Sequence, residues 1–221
     1  MVQREKVLIK AVLWDFGGVL TSSPFEAFTR YEQANGLPVD FIRSINATNP
    51  DTNAWAQFES NQMSVADFDA AFAAESEARG HLIRGQSVLA LLSGDIRPRM
   101  VQALKQIKQT HAVGCITNNV KSGQGAGMAR SESKAQAVAE VMALFDTVIE
   151  SSLVGIRKPN PEIYLMACRA MSIEPTQALF IDDLGINLKP AKALGMTTIK
   201  VLNEAQALHD LSAALEVALP S

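Results

Sequence analysis

The sequence predicts an α/β fold: a doubly wound, Rossmann-like parallel sheet with an all-helical domain inserted after its first strand. Short continuous apolar runs recur and end abruptly in glycine or polar residues, the mark of strands buried on both faces. Helical periodicity separates these runs, which implies parallel βαβ units. Between Thr21 and Arg97, by contrast, helical patterns appear with no convincing strand.

The first run, Val7 to Trp14, is rich in β-branched and large apolar residues and closes at Asp15-Phe16-Gly17-Gly18. Further strands are expected at Ala112–Thr117, Thr147–Glu150, Ala178–Asp182 and Thr197–Val201. Met100, Val101, Leu104 and Ile107 share one helix face, as do Ile163, Met166, Ala167 and Ala170. Ile186–Leu194 and Ala205–Leu219 read as the last two helices. In the insert, Phe25, Phe28 and Tyr31, then Val65, Phe68, Ala71 and Phe72, carry the apolar stripe, with Ser64 as an N-cap. Pro24 and Pro98 punctuate its ends, giving a core of residues 1–21 and 98–221 and a helical cap of residues 22–97.

The composition suits such a fold. The chain has 221 residues, 48% of them apolar and 19% charged, enough to bury a core. A net charge of −3 and a pI near 5.7 argue against nucleic acid or an anionic membrane as the main partner. No apolar stretch approaches the length of a membrane span, and the charged N-terminus lacks a signal-peptide core, so a soluble, cytoplasmic protein is expected. Cys115 and Cys168 sit in apolar stretches, form no CxxC pair and read as buried free thiols.

Several features are read as carrying no chemistry. Gly123-Gln124-Gly125-Ala126-Gly127 has Met128 where a dinucleotide fingerprint needs glycine, and lacks a following Gly-Lys-Ser/Thr. His81, His111 and His209 lack metal-ligand spacing, and Ser122, Ser151 and Ser152 lack a nucleophile-elbow context. Trp55, Phe58, Phe68 and Phe72 are better explained as packing within the insert than as a substrate pocket.

Ligands of doubly wound sheets bind beyond the carboxyl ends of the strands. Asp15 follows the first strand, Thr117-Asn118-Asn119 the second and Asp182-Asp183 the fourth, while Lys158 precedes the helix leading into the fourth strand. Acidic groups packed this closely repel unless a cation lies among them, and hard oxygen ligands favour magnesium. A lysine and a hydroxyl beside that cation make a receptor for phosphate.

The order DFGGVL, ITNN, GIRKPNPEIY and FIDDLGINLKPAKALGM resembles the four motifs of the haloacid dehalogenase superfamily, and the helical insert resembles its C1 cap. The FIDDLGINLKPAKALGMTTI stretch is particularly similar to the phosphatase-type domain at the N-terminus of mammalian soluble epoxide hydrolase and of certain acyl-CoA dehydrogenase fusion proteins. The resemblance implies a small phosphorylated metabolite as substrate and Mg²⁺ as cofactor. Asp15 would be the nucleophile, with Thr117 and Lys158 holding the phosphoryl oxygens and Asn118 at the substrate. The metal would be held by Asp15, the carbonyl of Gly17 and Asp183, with Asp182 in or just behind the coordination sphere and Asn187 bracing it.

One departure matters. The superfamily's phosphatases usually carry a second Asp two residues after the nucleophile, where this chain has Gly17. General acid–base assistance is typically worth about 10²–10⁴ in rate. Three readings follow: a phosphatase whose leaving group needs little protonation, such as an anomeric or acyl phosphate; a 2-haloacid dehalogenase; or a phosphate-binding module with little turnover. The first is preferred, because dehalogenases need no metal and lack the paired acids, while a pure binder has no need of a nucleophile.

Overall fold

A computed structural model describes residues 8–119 and 132–220. Five strands, β1 (Ala11–Trp14), β2 (Ala112–Thr117), β3 (Thr147–Glu150), β4 (Ala178–Asp182) and β5 (Thr197–Lys200), form a single sheet in the order β3-β2-β1-β4-β5. All its pairings are parallel. The chain builds outward from β1 to β3 and then crosses back to place β4 on the other side of β1. The switch in strand order therefore falls at the carboxyl ends of β1 and β4, where such sheets bind ligands.

Eleven α-helices lie among the described residues. The insert holds α1 (Pro24–Ala34), α2 (Phe41–Ala47), α3 (Ala54–Glu59), α4 (Val65–Glu77) and α5 (Gly85–Leu89). The sheet is flanked by α6 (Pro98–Ile107), α7 (Glu132–Met142), α8 (Ser151–Val154), α9 (Pro161–Ala170), α10 (Gly185–Ala193) and α11 (Glu204–Leu215). Strand alternation sorts the core into two layers. Val12 and Trp14 of β1 pack with Met100 and Leu104 of α6, Val138 of α7 and Leu208 and Leu211 of α11. Leu13, pointing the other way, packs with Ile163 and Tyr164 of α9 and Leu188 of α10. Cys115 and Cys168 are free, buried thiols in these layers, as expected. None of the described helices is long and apolar enough to cross a membrane.

The insert has a hydrophobic cluster of its own, including Phe28, Ile42, Phe58, Phe68, Phe72 and Val88. Phe58 and Phe68 stack with ring centroids 4.5 Å apart, so the aromatic stripe serves packing. Ser64 caps α4 through a capping box with Asp67. The two ends of the insert run side by side: Thr21 and Ile96 form an isolated antiparallel bridge, Ser22 N donates to Asp95 O, and Arg97 N donates to Leu20 O.

β5, α10 and the start of α11 differ from expectation by one residue, and two element ends differ by more. β1 begins at Ala11, because only there do Ala112 and Ala178 flank it as partners. The last helix stops at Leu215, not Leu219. Glu216 takes a left-handed conformation (φ 56°), and Val217 N donates back to Ser212 O, a C-terminal cap that ends the helix. The run Gly123–Gly127 and Ser122 lie outside the described residues.

Candidate active site

The strand ends bring four of the predicted residues together: Asp15, Lys158, Asp182 and Asp183. Asp15 leaves β1 with its amide hydrogen-bonded to Ile181 O of β4, which points its side chain into the crevice beyond the switch. One carboxylate oxygen accepts from Phe16 N at 2.7 Å and lies 2.7 Å from Lys158 Nζ. Lys158 is almost wholly buried and also donates to Asp182 Oδ2 at 2.8 Å, so a single ammonium bridges the acids that end β1 and β4. Oxygens of Asp15, Asp182 and Asp183 all come within 4.8 Å of one another.

The neighbouring acids Asp182 and Asp183 have separate surroundings. Asp182 is fully buried and accepts from Lys158 Nζ, Leu184 N and Asn187 Nδ2, the last reaching both oxygens. Its carboxylate is saturated by protein donors. Asp183 is half-buried and accepts a long hydrogen bond, 3.4 Å, from Ser23 Oγ, the N-cap of α1. Its own amide is its other donor, which leaves lone pairs for a ligand. Asn187 is held in turn by Tyr164, whose hydroxyl donates to Asn187 O at 2.7 Å.

Charge in this site does not balance. Three carboxylates face one ammonium, and the excess shows in the titration of the acids. Burial pushes the Asp15 carboxyl up to about 8; Lys158 pulls it down, while Asp182 and Asp183 add to the rise. Asp183 is pushed up to about 6, again by burial first and then by Asp182. Burial opposes the charge on Lys158, but Asp15 and Asp182 outweigh it and hold the ammonium above the ordinary lysine range. A divalent cation among these oxygens would supply the compensation that protons otherwise give. The donor set is all hard oxygen, the kind magnesium takes.

The two glycines after Asp15 differ sharply. A Cβ on Gly17 would meet nothing within 4 Å, whereas one on Gly18 (φ +76°) would lie 2.2 Å from Asp183 Oδ2. Only glycine lets the main chain pass so close to Asp183. Gly18→Ala is therefore expected to displace Asp183 and strain the turn, lowering Mg²⁺ affinity by at least about tenfold. Calorimetric titration of both chains with MgCl₂ checks this, and equal affinities would refute it.

Thr117 ends β2, is buried and pairs with Glu150 of β3. The next residue, Asn118, expected at the substrate, has protein partners of its own. Asn118 grips the main chain of Lys158 from both sides, its Oδ1 accepting from Lys158 N at 2.8 Å and its Nδ2 donating to Lys158 O at 3.0 Å. The amide is thereby occupied in holding the lysine. His81 packs edge-on against Phe41, and His111 and His209 make their polar contacts with neighbours in sequence, away from the acids. Ser151 and Ser152 are buried and engaged with Asn119, in keeping with a structural role.

The sequence assigned no role to Ser23, Asn119, Glu59 or Arg157, although Asn119 stands just after β2 and Arg157 just before Lys158. Ser23 was legible only as the polar residue before Pro24 at a helix start. Glu59 and Arg157 pair across the fold, with Arg157 Nη1 2.5 Å from Glu59 Oε2. Nothing in their local sequence marks that pairing.

A family model described as haloacid dehalogenase-like hydrolase matches residues 9–195, and the chain belongs to that family. It is 32% identical to mouse (Mus musculus) acyl-CoA dehydrogenase family member 10 over 93% of this chain and 19% of that protein. It is also 32% identical to mouse bifunctional epoxide hydrolase 2, over 92% of this chain and 38% of that protein. The chain thus spans well under half the length of these two relatives. Phosphatase MT3486 of Mycobacterium tuberculosis is 29% identical over 85% of each chain. Among solved structures, the haloacid dehalogenase family enzyme bt-2542 of Bacteroides thetaiotaomicron, in complex with magnesium and inorganic phosphate, superposes with a TM-score of 0.56. It is 22% identical, covering 87% of this chain and 93% of that one.

Proposed function

We propose that this hydrolase is a magnesium-dependent phosphatase of small phosphorylated metabolites, acting through an aspartyl-phosphate on Asp15. The observation that carries this reading is the buried Lys158 ammonium, 2.7 Å from Asp15 and 2.8 Å from Asp182, at the crevice where strand order switches. A cation fixed beside a nucleophilic carboxylate suits a phosphoryl group, whose oxygens it holds while the acid attacks.

Asp15, the carbonyl of Gly17 and Asp183 would hold the metal; Asp182, saturated by Lys158, Leu184 and Asn187, would stand behind them. When bound, magnesium neutralises charge on the phosphoryl oxygens and orients them for in-line displacement. Lys158 opposes protonation of Asp15, a bound cation would complete that charge balance, and the ammonium draws the phosphoryl oxygens toward it, with the Thr117 hydroxyl as a second donor. Asp15 attacks phosphorus, the bond to the leaving oxygen breaks, and that oxygen leaves with the electron pair. Water then attacks phosphorus, frees Asp15 and releases inorganic phosphate. Position 17 offers no side chain to protonate the leaving oxygen. The reading therefore favours substrates whose leaving group needs little protonation, such as anomeric or acyl phosphates. Residues 22–97 act as the cap, covering the crevice and excluding water.

The dehalogenase reading fits less well, since the charge imbalance among Asp15, Asp182 and Asp183 would go unanswered in a metal-free reaction. Phosphate release from a panel of esters, including p-nitrophenyl phosphate and sugar 1-phosphates, tests the proposal in Mg²⁺ and in EDTA. Release is expected only with the metal, and none from Asp15→Asn. A wild-type chain that releases halide from 2-chloropropionate, but no phosphate from any ester, would overturn it.

A further inference from the structure

The insert reaches the site along a route separate from the side-by-side strands at its two ends. At the C-terminal end of α3, Glu59 is buried, and its carboxylate takes Arg157 Nη1 at 2.5 Å. Arg157 Nη2 donates to Pro50 O, in the loop leading to α3. Both arms of one guanidinium are thus held by the insert, and the next residue in the chain is Lys158. The main-chain carbonyl of Glu59 also accepts from Ser151 Oγ at 3.1 Å. That same hydroxyl accepts from Asn119 N at 3.0 Å, and the Asn119 side chain holds Ser152 N and Glu150. Asn119 follows Asn118, whose amide grips Lys158 on both sides. The seat of α3 is therefore tied to Lys158 twice, through Arg157 and through Asn119–Asn118.

We infer that Glu59 and Arg157 are positioning residues: seating α3 on the core through this pair sets the Lys158 ammonium against Asp15, so that the phosphate-binding cation is in place only when the insert is docked. The physical grounds are geometric. Arg157 presents a rigid fork, and occupying both arms fixes the main chain that carries Lys158. The pair is well buried, so it is screened less than a surface bridge, and removing either partner leaves the other without compensation. Displacements of about 1 Å in a catalytic group can lower turnover by about 10². The ion pairs elsewhere among the described residues lie away from the Lys158 loop. Arg84 pairs with Asp69 inside the insert, for instance, and Lys108 with Asp146 inside the core.

The inference rests on Lys158 being the phosphoryl-binding cation of the proposed phosphatase. It is tested with five full-length chains: wild type, Glu59→Gln, Arg157→Met, the double variant, and Val88→Ala as a control that loosens the insert's own core away from the pair. Each is assayed on p-nitrophenyl phosphate with Mg²⁺, alongside its thermal midpoint. Each single variant is expected to lose about tenfold in kcat with KM within about threefold, and the double variant to lose no more than the worse single, because both remove one linkage. Val88→Ala is expected to lower the midpoint while leaving kcat within about twofold. Single variants with wild-type kcat would overturn the inference. So would multiplicative losses in the double variant, or an equal loss in Val88→Ala. If the wild type hydrolyses no ester, the phosphatase reading has failed, and the same chains are read by calorimetric titration with inorganic phosphate in Mg²⁺. Affinity lowered in both single variants, with no further loss in the double, then upholds the linkage to Lys158. Unchanged affinity, or no binding by wild type, overturns it.

Discussion

Lys158→Met is expected to lower kcat by at least about 10²–10³ and to destabilise the metal-free protein by about 3–5 kcal/mol. The two effects have one origin. The ammonium is buried and bridges Asp15 and Asp182, and methionine fills a similar volume without the charge. In wild type the acids already outnumber it, which is why burial and neighbouring carboxylates hold Asp15 up near 8 and Asp183 near 6. Without the lysine, two buried carboxylates lose their nearest cation, and Asp15 gains a further drive to take up a proton, which would disarm it as a nucleophile. A direct consequence concerns the metal. Mg²⁺ would be the remaining cation among the three acids, so it should stabilise Lys158→Met by more than it stabilises wild type. Chemical denaturation of both chains in EDTA and in Mg²⁺ measures this difference. A variant as stable as wild type in EDTA would show that the bridge does not balance the acids of β1 and β4, and the electrostatic account of the site would fall with it.

How much of this was legible in the sequence follows from where each interaction lives. The strands of a parallel sheet are buried on both faces, so β1, β2 and β4 appear as continuous apolar runs, and the residues just beyond them are the ones the fold carries to its crevice. Asp15, Asp182 and Asp183 were readable on that ground, and Lys158 as the residue ahead of the helix that leads into β4. The division of labour between the two neighbouring acids was not, because it depends on which oxygens the protein itself saturates: Lys158 Nζ, Leu184 N and Asn187 Nδ2 reach Asp182, while Asp183 accepts from Ser23 Oγ and its own amide. Asn118 shows the same limit. Its position after β2 puts it near the site, but its hydrogen bonds to the main chain of Lys158 come from a loop forty residues away. Glu59 was hidden for another reason. It ends a six-residue helix too short to show a period, and its partner lies 98 positions on.

Gly17→Asp is expected to raise phosphate release from alkyl esters, by a factor approaching the 10²–10⁴ typical of general acid–base assistance. The substitution has room: a Cβ at Gly17 meets nothing within 4 Å, in contrast to Gly18, where it would strike Asp183. Its benefit should depend on the leaving group. An alkoxide leaves poorly without a proton, so the added acid would act on the step that limits its release. Nitrophenolate leaves readily unprotonated and gains less. There is an opposing effect, since a further carboxylate near Asp15, Asp182 and Asp183 adds to a site already rich in negative charge, and the variant should be less stable than wild type in EDTA. The ratio of kcat/KM between an alkyl phosphate and p-nitrophenyl phosphate, compared in wild type and variant, separates these effects, because loss of stability or of metal affinity lowers both substrates alike. A ratio that moves toward the alkyl ester would identify Gly17 as the reason for a steep leaving-group dependence, and with it the class of substrate that the natural chain can turn over. An unchanged ratio would mean that leaving-group protonation does not limit this enzyme, and the preference for anomeric and acyl phosphates would lose its chemical basis.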